Sequence, residues 1–90
     1  MGTALIKIKI MPSSPEADLE EIKESAKEKI LSGEGEKPNF KEEPVAFGLK
    51  AIVAQFSLDE SKELDSIEES LKKIKDVNSV QVIDMRRAFG

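Results

Sequence analysis

Ninety residues without a cysteine leave no disulfide framework and no thiolate zinc site, and suffice for one modest hydrophobic core. Histidine is also absent, which removes the usual general base near neutral pH and the commonest metal ligand, so an enzyme would have to work with carboxylates, lysines and serines alone. Charged residues make up 36% of the chain with a formal net charge of −4, which argues against a nucleic acid as main partner because phosphate contact is driven by basic patches.

The first predicted element is Leu5-Ile6-Lys7-Ile8-Lys9-Ile10, where Ile6, Ile8 and Ile10 share one face and Leu5, Lys7 and Lys9 the other, the alternation of a half-buried strand ending at Met11-Pro12. Ser13-Ser14-Pro15-Glu16 reads as a helix start, with serine caps, a proline in the first turn and a Ser13/Glu16 capping box. Leu19, Ile22, Ala26 and Ile30 follow at helical spacing, and Ser32-Gly33 ends the helix. Glu34 to Lys37 reads as a linker, and Pro38 to Glu43 as an edge strand with Phe40 its one strong apolar residue.

After a short apolar turn, the third strand places Ile52, Ala54, Phe56 and Leu58 on one face and Leu49, Ala51 and Val53 on the other. Asp59 or Ser61 caps a second helix carrying Leu64, Ile67, Leu71 and Ile74. Val77 to Arg87 is the last strand, with Val80 and Val82 on one face and Ile83 and Met85 on the other. The order β-α-β-β-α-β with short connections predicts one α+β domain over residues 1–90, a ferredoxin-like sandwich. Its four-stranded antiparallel sheet would carry both helices on one face, with the first and third strands central. No apolar run approaches the ~20 residues of a membrane span, and the N-terminal residues lack the layout of a signal peptide, so a cytoplasmic protein with no membrane partner is expected.

The stretch least explicable as filler is Glu42–Ile52, where two acids run into Pro44 and Phe47 stands immediately before Gly48. An aromatic at a hairpin tip either folds back as a lid over the core or enters a pocket on a partner. By topology Phe47 and the C-terminal Arg86-Arg87-Ala88-Phe89-Gly90 fall at opposite ends of the sheet, so they cannot share one compact catalytic site but can belong to one elongated docking surface. Acid pairs such as Glu20-Glu21, Glu42-Glu43 and Glu68-Glu69 read as solvated surface, and no calcium-ligand or phosphate-cradling spacing is present. An RNA-recognition module would need aromatics on the open sheet face, where the chain has Leu5, Lys7, Lys9, Leu49, Ala51 and Val53. A small-molecule regulatory module of the same fold class stays open as an alternative.

Pro44-Val45-Ala46-Phe47-Gly48-Leu49-Lys50-Ala51-Ile52 resembles the signature of the elongation factor 1-beta family, in its short archaeal form. The likeness extends over the whole chain, through the Ile6–Met11 strand, the Pro15–Leu19 helix start and Asp84-Met85-Arg86-Arg87. It implies a non-enzymatic guanine-nucleotide exchange factor of translation, without a cofactor of its own and monomeric when free. Its partner would be the GTPase elongation factor 1-alpha, GDP-bound or nucleotide-free. The resemblance further implies that Phe47, with Val45, Ala46 and Gly48, docks on the partner's second domain, while Arg86, Arg87, Phe89 and Gly90 lie at the end that reaches the nucleotide and magnesium site. Eukaryotic members carry a lysine next to the C-terminus; this chain ends Ala88-Phe89-Gly90, which leaves Arg86 and Arg87, Phe89 or the free carboxylate to act there.

Overall fold

In the computed structural model, which describes residues 2–88, the alternating isoleucines of the N-terminal segment lie in the middle of a sheet rather than at its edge. The elements are β1 (Thr3–Pro12), α1 (Leu19–Ser32), β2 (Glu36–Pro44), β3 (Lys50–Asp59), α2 (Leu64–Lys72) and β4 (Val77–Ala88). All three pairings are antiparallel and the strand order is β2-β3-β1-β4, the ferredoxin-like α+β arrangement expected from the sequence. Residues opposite each other across β1 and β3 explain the core: Ile6 faces Phe56, Ile8 faces Ala54 and Ile10 faces Ile52, all fully buried. Ile22, Ala26 and Ile30 from α1 and Ile67 and Leu71 from α2 close over this face, each large side chain contributing about 1.5–3 kcal/mol by leaving water.

The first helix starts later than its serines suggest. Ser13 to Ala17 form turns, the Ser13/Glu16 capping box does not form, and Asp18 caps α1 by accepting from the amides of Glu20 and Glu21. The reason is local: Asp18 immediately precedes Leu19, the first residue of the apolar stripe, and a carboxylate satisfies orphan amides at a positive helix end. At α2, Asp59 caps the preceding turn instead, accepting from the Ser61 amide and hydroxyl at 2.9 and 2.8 Å, while Glu63 holds the N-cap position without a side-chain capping bond. The segment read as a linker is partly strand, since β2 begins at Glu36 and runs through a register shift before Asn39.

β4 departs from simple alternation. Val80 and Val82 share one face as expected; they pair with Ile10 and Ile8 and pack against the core on the helix side. Between Val82 and Asp84 the register shifts by one residue, so Ile83 is a bulge and Met85 pairs with Ile6 on the helix side of the sheet. The expectation that Met85 lies with Ile83 on the face opposite Val80 and Val82 therefore fails, since Met85 shares the side of Val80 and Val82. The same slip puts Arg87, opposite Ala4, on the helix side and Arg86, opposite Leu5, on the open face.

Candidate functional site

β2 and β3 are joined at one end of the sheet by Val45-Ala46-Phe47-Gly48-Leu49. The Val45 amide donates to the Leu49 carbonyl at 2.8 Å and the Leu49 amide returns to the Ala46 carbonyl at 3.3 Å. Inside that closure Phe47 has φ 62° and ψ 31°, and Gly48 has φ 75°. Two successive left-handed residues make the turn whose twist matches that of the strands it joins, a role usually taken by Asn-Gly or Asp-Gly. Gly48 meets this demand without strain and has nothing within 4 Å of where a Cβ would stand. Phe47 does not: a bulky left-handed residue is an outlier, and such strain collects at sites of function.

Phe47 is 94% exposed, so it is not a lid over the core. It is the most exposed large hydrophobic side chain among the described residues. Val45 and Leu49 are half-buried beside it, and Ala46 and Gly48 are exposed.

The opposite end of the sheet gathers the start of β1, the β3–α2 turn and the end of β4. A groove of about 570 Å³ opens there between sheet and α2, with Ala4, Ile6, Leu58, Leu64 and Met85 as its apolar floor and Asp59, Glu60, Lys62 and Arg87 around its rim. Arg87 Nε lies 2.6 Å from Glu60 Oε2, and Lys62 Nζ lies 2.8 Å from Glu34 Oε2. The bond from Glu34 holds the Lys62 ammonium above its usual pKa, and two bonds from Ser61 hold the Asp59 carboxyl below its usual range. Arg86, across the strand, pairs with Asp84 at 3.1 Å beside Leu5, Lys7 and Gln55.

Of the eight residues singled out in the sequence, the six that are described fall into two groups at two ends. Val45, Ala46, Phe47 and Gly48 are brought together; Arg86 and Arg87 are at the far end and on opposite faces from each other. Phe89 and Gly90 lie outside the described residues. Sequence reasoning missed Met85, Leu64 and Glu60 as lining of the far-end groove. The bulge that turns Met85 inward has no glycine or proline to mark it, so no local signal announces it. Among the described residues no cluster of carboxylates could hold a metal ion, and no helix is long and apolar enough to cross a membrane.

The EF-1 guanine nucleotide exchange domain matches residues 5–88. Elongation factor 1-beta of Methanosarcina barkeri is 42% identical over 88 residues, covering 97% of this chain and 99% of that protein. The elongation factors 1-beta of Methanobrevibacter smithii and Methanothermobacter thermautotrophicus are 40% and 39% identical, each covering 97% of this chain and 98% of theirs. An exposed, strained aromatic at one end, a second polar-rimmed end some strand length away, and near-complete coverage by these relatives agree: this chain belongs to the elongation factor 1-beta family of guanine nucleotide exchange domains.

Proposed function

We propose that this protein docks on the GTPase elongation factor 1-alpha through the Phe47 turn and, at its other end, disturbs the nucleotide and magnesium site so that GDP leaves. The observation that carries the docking half is Phe47 itself, 94% exposed and held in a conformation that costs free energy in the isolated protein. A ring presented this way gains its contacts only in a complex. For the far end the support is the two-ended shape, 42 Å in its longest extent, together with membership of the exchange-domain family.

No covalent bond is made or broken in this role. The factor binds nucleotide-free GTPase more tightly than the GDP form, and by linkage it weakens GDP by the same ratio, about 1.4 kcal/mol for each tenfold. Magnesium is an efficient point of attack because the ion neutralises the phosphates. Arg86 and Arg87 are the cations nearest the C-terminus, and each is already paired, with Asp84 and Glu60. Either must exchange its carboxylate for a group on the partner before it can act.

The test is release of fluorescent GDP from loaded elongation factor 1-alpha on adding substoichiometric factor. Acceleration with turnover is the expected result. An active GTPase whose GDP leaves no faster than alone would overturn the proposal.

A further inference from the structure

Pairing thins toward the Phe47 turn. The last pair between β1 and β3 is Ile10 with Ile52, whereas β2 and β3 continue to pair through Glu43–Ala51 and Pro44–Lys50. Ala51 is still fully buried there, and the exposed Phe47 turn lies beyond it. The paired arm from Glu42 to Pro44 runs about 7 Å at ~3.3 Å per residue, so a swing of roughly 10° at its base moves the turn by about 1–2 Å.

Among the described residues one ion pair spans that base. Lys23 of α1 reaches across to Glu42, its Nζ 2.7 Å from Oε2, and Glu42 sits opposite Ile52 where the third strand drops out. Glu20, one helical turn before, adds a second carboxylate at 3.6 Å. Among the described residues this is the one ion pair between the arm and the helical layer, and the Lys23 side chain is only 20% exposed. The hydrogen bond to Glu42 raises the Lys23 pKa against the opposing effect of burial, and the same bond, with Lys50 adding a little, lowers that of Glu42. The pair is thus charged throughout the neutral range.

We infer that Lys23 is a positioning residue for nucleotide exchange, fixing through Glu42 the angle at which the Phe47 arm leaves the sheet. The inference rests on the exchange reading above. A surface ion pair contributes little to global folding, but among the described residues this is the one ion pair tying β2 to α1 beside the turn, so its effect falls on orientation.

Two measurements test it. In the exchange assay, Lys23→Met and Glu42→Gln should raise the factor concentration for half-maximal rate about two- to fivefold, with the saturating rate and melting temperature nearly unchanged. Lys23→Arg and the swap Lys23→Glu/Glu42→Lys should restore the wild-type titration. Single variants that titrate like wild type, or losses that neither rescue repairs, would overturn the assignment. The second measurement needs no GTPase: residual dipolar couplings of the Val45 to Leu49 amides should change in Lys23→Met relative to those of the sheet. Unchanged couplings overturn the positioning role even where the exchange reading holds, and a wild-type protein that fails to release GDP counts against that reading alone.

Discussion

At the scale of single residues, the docking role proposed for Phe47 is set against a cost in stability. Its left-handed backbone costs about 1–2 kcal/mol relative to a residue that accepts it, and the ring recovers nothing from the core. Phe47→Asn converts the tip to the favoured Asn-Gly turn and should raise stability by about 1 kcal/mol, some 4–8 °C in melting temperature for a domain of this size. The same variant should lose exchange activity at least tenfold at limiting factor, and a stabilised variant that retained full activity would remove Phe47 from the interface. The position of this tip was legible in Phe47-Gly48 following Pro44, because glycine after a bulky apolar residue in a strand–turn–strand pattern leaves few other placements. What the letters do not carry is that the phenylalanine takes the first left-handed position. That follows from the closing bonds of Val45 and Leu49, which are set by strand register rather than by the turn residues.

At the scale of elements, periodicity made the strands and helices readable while the ends of helices were decided by competition among caps. Ser13, Ser14 and Asp18 all compete for the N-terminal end of α1, and the residue touching the apolar stripe wins because the helix is held by its packing and not by its cap. Asp18→Ala should therefore cost about 1 kcal/mol in denaturant unfolding, whereas Ser13→Ala should cost only a few tenths. Equal losses would return the start of the helix to the serines. In β4 alternation fails between Val82 and Asp84, for a reason no pattern of apolar residues reveals. Ile83 is itself apolar, so a strand reading that continues through it looks unbroken, yet it counts as an extra residue against β1. The far-end groove was illegible for that reason: its floor needs Met85 on the side that simple counting denies it.

At the scale of the whole molecule, charge is distributed so that nothing but the extremes of pH disturbs it. Glu42 and Asp59 have carboxyl groups held below their ordinary values, so the stability they confer is present above that range and is lost as pH falls through it. Lys23 and Lys62 are held above the ordinary lysine value, so theirs is present below that value and is lost as pH rises past it. With no histidine in the chain, no ordinary side chain titrates between. The melting temperature should be flat from about pH 5.5 to 9 and fall on both flanks, as followed by calorimetry; a transition centred near 6.5 would contradict this. The length of the molecule has a further consequence. Its longest extent is 42 Å against 21 and 17 Å across, and the strands that run along it are hydrogen-bonded to one another for most of their course. A body that touches at both tips and cannot shorten acts as a gauge. In the docking proposed above, it would fit the GTPase only when the two receiving surfaces stand at the gauge length, and any rearrangement that changed their spacing would eject one tip or the other. Release under that proposal would need no signal sent along the sheet, only a change in the distance being measured.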